Sequence, residues 1–212
     1  PGAHPCYLLL ECASQQDESE ALAGVLAGLA GIRASALATG TVERERLWAY
    51  RERHTESISA EGVPHKLDVT LPLSRLPDFE RRVRGVIAAV STSARPILFG
   101  HAGDGNLHVV VQVPPAIYMS DRGKIEAVVY SGLASFRGAV SAEHGIGQLK
   151  RGELERTKAP LELAIMRRIK AALDPAGILN PGKAVPTLKR CAEWGGLHVR
   201  GGRIPHPDIP RF

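Results

Sequence analysis

The sequence predicts an α+β fold, an antiparallel sheet with helices packed on one face, followed by an irregular C-terminal tail. Three observations carry that prediction. Two runs of strand-forming residues, Pro96 to His101 and Asn106 to Val113, flank the pair Asp104-Gly105, which signals an antiparallel hairpin. Stretches with apolar residues at helical spacing alternate with short strands. Strands that pair through hairpins exclude a purely parallel sheet, so the helices are expected to cover one face only.

Taken in chain order, "YLLLEC" (Tyr7 to Cys12) reads as a buried strand, with Cys6 and Cys12 as core or edge thiols. Leu22, Val25, Leu26 and Leu29 then mark an amphipathic helix whose caps lie between Ser14 and Ser19. A charged helix is expected from Thr41 to about Ala60. "HKLDVTLPL" alternates as a half-buried strand does and ends at Pro72. Ser74 is placed to cap a helix whose apolar set is Leu76, Phe79, Val83, Val86, Ile87 and Val90. The hairpin follows, then a helix from Asp121 to Arg137 and the loop "AVSAEHGIGQLKR". Pro160 opens a helix carrying Leu161, Ile165, Ile169 and Leu173, stopped at Asp174-Pro175. Residues 1–183 are expected to form one domain, incomplete at its N-terminus, with 184–212 as a tail packed on it.

Composition narrows the function classes. With 212 residues, 44% hydrophobic and 23% charged, the chain is of globular type, and its apolar runs are shorter than the ~20 residues of a membrane span. Its three cysteines are odd in number and widely spaced, which argues for a reducing, cytoplasmic setting with peripheral membrane attachment as the alternative. A net charge of +5 favours anionic partners. An aromatic content of 5%, with no basic run interleaved with aromatics, argues against nucleic acid, and "ERRVRG" reads as a solvated helix face.

Chemistry-bearing residues concentrate in four places. His101 and His108 flank the hairpin turn of "FGHAGDGNLHVVV", which by itself fits an ordinary turn as well as half of a metal site. "SAEHGIG" sets Glu143 beside His144 in a glycine-rich loop; two histidines and one carboxylate would leave open positions for water or substrate. Arg51 and Thr55, four residues apart, and Lys66 on the next strand could fork a carboxylate, or simply face water. "DPAGILNPGK" fixes Asn180 between two prolines.

Together these segments resemble the C-terminal domain of FAD-linked oxidases of the vanillyl-alcohol oxidase type, and within it the D-2-hydroxyacid dehydrogenases and the glycolate oxidase flavoprotein subunit. The resemblance rests on "GHAGDGNLH", "SAEHGIG", "DPAGILNPGK", the stretch from Arg51 to Glu56 with Lys66 to Asp68, and the ending "PTLKRCAEWGGLHVRGGRIPHPDIPRF". It implies a ferredoxin-like sheet covered by helices, beside a separate FAD-binding domain that nothing in this chain resembles. It implies oxidation of a D-2-hydroxy acid, lactate- or glycolate-like, to the 2-oxo acid with hydride passed to the flavin. By position, His101, His108 and Glu143 match ligands of a divalent metal, zinc; His144 matches the base; Arg51, Thr55 and Lys66 match the substrate carboxylate clamp. Asn106 and Asn180 are the candidates for flavin contact. Val110 stands where some diacid-oxidising relatives carry a polar residue, which disfavours a dicarboxylate. The chain alone is then expected to be inactive, its electron acceptor and any homodimerisation left open. Two other readings stand beside this one: a metal-dependent hydrolase built on the His2Glu site, and a non-catalytic assembly subunit.

Overall fold

The computed structural model describes residues 2–185, which fall into two compact units divided between Gly62 and Val63. The prediction for the tail beyond Val185, Cys191 included, lies outside the described residues.

The first unit is helical. Helix α1 spans Ser19–Gly28, α2 Thr41–Glu52 and α3 His54–Ala60. The single helix expected from Thr41 is interrupted at Arg53, whose N–H still reaches the carbonyl of Ala49 at 3.2 Å. Neither α1 nor α2 buries a residue, and α3 buries Ile58. The strand expected at Tyr7 to Cys12 is irregular chain instead, with Tyr7, Leu8 and both cysteines exposed. An apolar run supplies a face for a strand but not the partner edge its backbone groups need, and among the described residues no strand pairs with it.

The second unit carries the sheet. Strands β1 (Pro64–Thr70), β2 (Arg95–Phe99) and β3 (Asn106–Gln112) pair antiparallel in the order β1-β3-β2, so the hairpin's second strand is central. Leu67 and Val69 of β1 and Val109 and Val111 of β3 point to one face, where α4 (Leu76–Val90) and α5 (Pro115–Ser131) cover them. Phe79, Val83 and Ile87 of α4 meet Ile125, Val129 and Tyr130 of α5 in the same core, all essentially inaccessible to water. The antiparallel sheet with helices on one face is as the sequence predicts.

Several boundaries differ. Ser74 sits in a short 3-10 turn, Leu73–Arg75, and its side chain caps nothing; Pro77 enters the first turn of α4 instead. Helix α5 starts at Pro115, six residues before Asp121, because proline is tolerated where helix N–H groups have no partner anyway. It ends at Ser131, and a 3-10 turn, Leu133–Phe136, completes the stretch. Two arginines of the basic cluster pair along α4 itself, Arg81 with Asp78 and Arg84 with Glu80. An additional short helix, α6 (Arg151–Thr157), precedes α7 (Pro160–Leu173). The stripe Leu161, Ile165, Ile169 and Leu173 on α7 is exposed, and Leu163 is the position it buries. No described helix is long and apolar enough to cross a membrane.

Candidate functional site

Alternation along the strands decides which residues can take part in chemistry. Residues that are not on the helix-covered face point to the other one, and there Asp68 of β1 lies directly opposite His108 of β3. Phe99 of β2 lies opposite His108 on its other side, the two rings 5.1 Å apart between centroids. His108 therefore sits in the middle of the sheet, an acid on one flank and an aromatic on the other.

The second contribution comes from the loop after α5. Thr70 and Ala139 exchange backbone hydrogen bonds of 2.9 and 3.2 Å, which lay the chain along the outer edge of β1. Just beyond, Oδ2 of Asp68 accepts the backbone N–H groups of Ala142, Glu143 and His144 at 3.0, 3.1 and 3.0 Å. The Ser141 hydroxyl donates to the same oxygen at 3.4 Å and also lies 2.9 Å from the Gly145 carbonyl, where the chain turns back. Burial pushes the Asp68 carboxyl up, but the N–H groups of His144 and Ala142 and the charges of His144 and Lys150 hold it below the usual range.

This arrangement brings nitrogen and oxygen donors together. Nε2 of His108 lies 3.0 Å from Oε1 of Glu143, and Nε2 of His144 lies 3.8 Å from that same oxygen. The His108 and His144 rings stack 5.5 Å apart, tilted by 27°. Asp68, His108, Glu143 and His144 each offer a ligand atom within 4.8 Å of the others. His108 is buried, whereas Glu143 and His144 are about half exposed, so the group is rooted in the sheet and open to solvent. Imidazole with carboxylate is the donor set of zinc and related divalent ions, and an open side leaves room for substrate. The residues present fit such an ion.

The other predicted residues fall as follows. His101 precedes the 3-10 turn Ala102–Asp104, its ring edge-on to His108 at 6.2 Å and outside the four-residue group. Asn106 begins β3 and is buried, with its Oδ1 unpaired. Asn180 is exposed, at φ 45°, and its carbonyl accepts the Lys183 N–H at 3.2 Å. Lys66 is exposed on the same face of β1 as Asp68. Arg51 and Thr55 lie in the first unit on different helices, α2 and α3, not on one continuous helix as their spacing suggests.

"DPAGILNPGK" is organised by Asp174, which accepts the N–H groups of Ile178 and Leu179 at 3.0 Å each. The segment is tied to the site loop through Ala184, whose N–H reaches the Gly147 carbonyl at 2.7 Å. Sequence reasoning gave no role to Lys150, whose ammonium donates to the Asp68 carbonyl at 3.2 Å. Burial lowers its pKa against the opposing pull of Asp68 and Glu126. An acid set between Leu67 and Val69 in an alternating strand is the signal that could have pointed to a buried anchor there.

Comparison with known proteins is consistent across the chain. A family model described as FAD linked oxidases, C-terminal domain, matches residues 1–184. The mitochondrial D-2-hydroxyglutarate dehydrogenase of Rattus norvegicus is 38% identical over 190 residues, covering 86% of this chain and 34% of that protein. Its counterpart in Bos taurus is 46% identical over 151 residues, 70% of this chain and 27% of the relative. Glycolate oxidase subunit GlcD of Escherichia coli (strain K12) is 33% identical over 207 residues, 93% of this chain and 40% of the subunit. The chain thus spans between 27% and 40% of the length of these relatives.

Proposed function

We propose, on the premise that this chain belongs to the family of FAD linked oxidases, C-terminal domain, that it is the substrate- and metal-binding part of an FAD-dependent dehydrogenase acting on a D-2-hydroxy acid. The observation that carries the reading is the convergence of His108, Glu143 and His144 on one open side of the sheet. When bound, the flavin supplies the two-electron redox chemistry and a divalent metal, zinc in this reading, supplies Lewis acidity toward the substrate hydroxyl.

The chain's own residues divide the remaining tasks. His108 and Glu143 hold the metal, with His101 as the third ligand. His144, half exposed beside Glu143, takes the hydroxyl proton, a role an imidazole performs near neutral pH. Arg51, Thr55 and Lys66 hold the substrate carboxylate, and Asn106 and Asn180 contact the flavin. The buried apolar Val110, opposite Lys66 in the register, offers no hydrogen bond to a second carboxylate, which favours a short lactate- or glycolate-like acid. The flavin itself is held mainly by a separate FAD-binding domain, in keeping with the share of the relatives' length this chain spans. The 212-residue chain alone is then without turnover. The odd number of cysteines favours a cytoplasmic location.

Two measurements test the reading. Anaerobic addition of D-lactate, glycolate or D-2-hydroxyglutarate to the flavin-loaded protein carrying this chain is expected to bleach the flavin absorbance; no bleaching with any of the three overturns the assigned reaction. Replacing His108 or Glu143 by Ala in the 212-residue chain is expected to drop bound zinc to background, and unchanged zinc in both variants overturns the ligand assignment.

A further inference from the structure

The Asp68 carboxylate is almost fully buried, yet only half of it is accounted for by the loop it holds. Oδ2 collects three backbone N–H groups and a hydroxyl. Oδ1 is buried without a hydrogen-bond partner and lies 3.6 Å from Nδ1 of His108. The far nitrogen of the same ring, Nε2, lies 3.0 Å from Oε1 of Glu143. His108 is thus flanked by carboxylates at both nitrogens, and a neutral imidazole has one proton to give. If that proton sits on Nδ1, toward Asp68, then Nε2 turns a lone pair toward Glu143, an arrangement that a cation between the two relieves.

We propose that Asp68 is a positioning residue for the metal centre. With one oxygen it holds the backbone of Ala142–His144, which carries Glu143 and His144; with the other it fixes the ring orientation and tautomer of His108 so that Nε2 faces the metal. The inference rests on the metal-binding reading given above and adds to it the residue that assembles the ligands. Partners of this kind orient metal-ligating histidines by accepting the proton of the far nitrogen, and their loss typically weakens binding by ~10–100-fold. Position supports the role: Asp68 and His108 are directly cross-strand, so the sheet register itself sets their spacing.

The test compares Asp68→Asn with His108→Ala in the full 212-residue chain, using Zn²⁺ alone against a competing chromophoric chelator. An asparagine keeps the shape, and its carbonyl can still accept the loop N–H groups. Its amide donates toward Nδ1 of His108, which moves the ring proton to Nε2 and blocks the ligand position. The expected result is a native circular-dichroism spectrum with Zn²⁺ affinity lowered by about 10–100-fold. Lost binding in His108→Ala with unchanged affinity in Asp68→Asn overturns the role of Asp68 and leaves the metal site standing. Unchanged binding in His108→Ala overturns the role of Asp68 together with that of His108 as a ligand. The wild-type chain gives a readout that does not depend on a variant folding: long-range ¹⁵N NMR of the His108 ring is expected to show a protonated Nδ1 and zinc on Nε2. Zinc on Nδ1 overturns the proposal.

Discussion

Gly105→Ala is expected to destabilise the sheet-bearing unit by about 2–5 kcal/mol, the sum of a left-handed backbone penalty and overpacking. Gly105 closes the hairpin turn at φ 67°, in the region L side chains disfavour. The turn is pressed against the end of β1, where the Leu71 N–H donates to the Gly105 carbonyl at 2.9 Å. A Cβ at this position would lie 1.9 Å from the Leu71 carbonyl oxygen. That neighbour is backbone and cannot swing away, so either the hydrogen bond or the turn must give. Thermal unfolding checks the prediction, with a fall in Tm on the order of 10 °C. Gly103→Ala is the control from the same turn, since nothing lies within 4 Å of its Cβ direction and its φ is not positive. A shift of similar size in both variants would assign the loss to the turn in general and not to the contact with Leu71.

The second large effect is a loss of stability in mild acid. His65 of β1 lies on the helix-covered face, 4% exposed, with Nε2 unpaired. Burial, reinforced by the nearby positive charge of Arg122, lowers its pKa to about 4. The sign follows from proton counting. Between pH 6.5 and about 4 the unfolded chain binds a proton at this residue and the folded chain does not. Stability therefore falls as the pH drops through that window and is constant, for this group, above it. The shift corresponds to about 3 kcal/mol at full extent. Asp68 acts in a separate range: its lowered carboxyl pKa contributes stability that is lost only as the pH falls below the ordinary value of 3.8. Denaturant unfolding at several pH values with a metal chelator present resolves the two limbs. In His65→Leu the limb between pH 6.5 and 4 should flatten; its persistence there would place the proton uptake elsewhere.

Periodicity made most of the second unit legible. Alternation in "HKLDVTLPL" and the apolar spacing of Phe79, Val83 and Ile87 each specify a buried face, and those faces meet in the core. The same logic reached its limit at Tyr7 to Cys12 and along α7. An apolar run or stripe records that a surface wants a partner, not whether that partner is available, and both surfaces are exposed here. The break at Arg53 was not legible because a residue can leave the helix without proline or glycine marking the place. At the candidate site, His108, Glu143 and His144 stand out in the sequence because glycine-rich loops around histidines are conspicuous. Asp68 was noticed as part of a pattern and not as an anchor, since its partners are backbone N–H groups, which every residue carries. Nothing in the identities of Ala142 or Glu143 announces that their amides are captured 74 and 75 positions away.

That capture gives the site loop a stability it could not generate locally. The amides of Ala142, Glu143 and His144 belong to no ladder or helix, yet they are held by a buried group on β1. Such protons exchange with solvent only when the structure around their acceptor opens. Their exchange rates should therefore follow those of the β1–β3 amides and not those of the neighbouring loop. The site loop would then be part of the same cooperative folding unit as the sheet, and a single opening event would dismantle both.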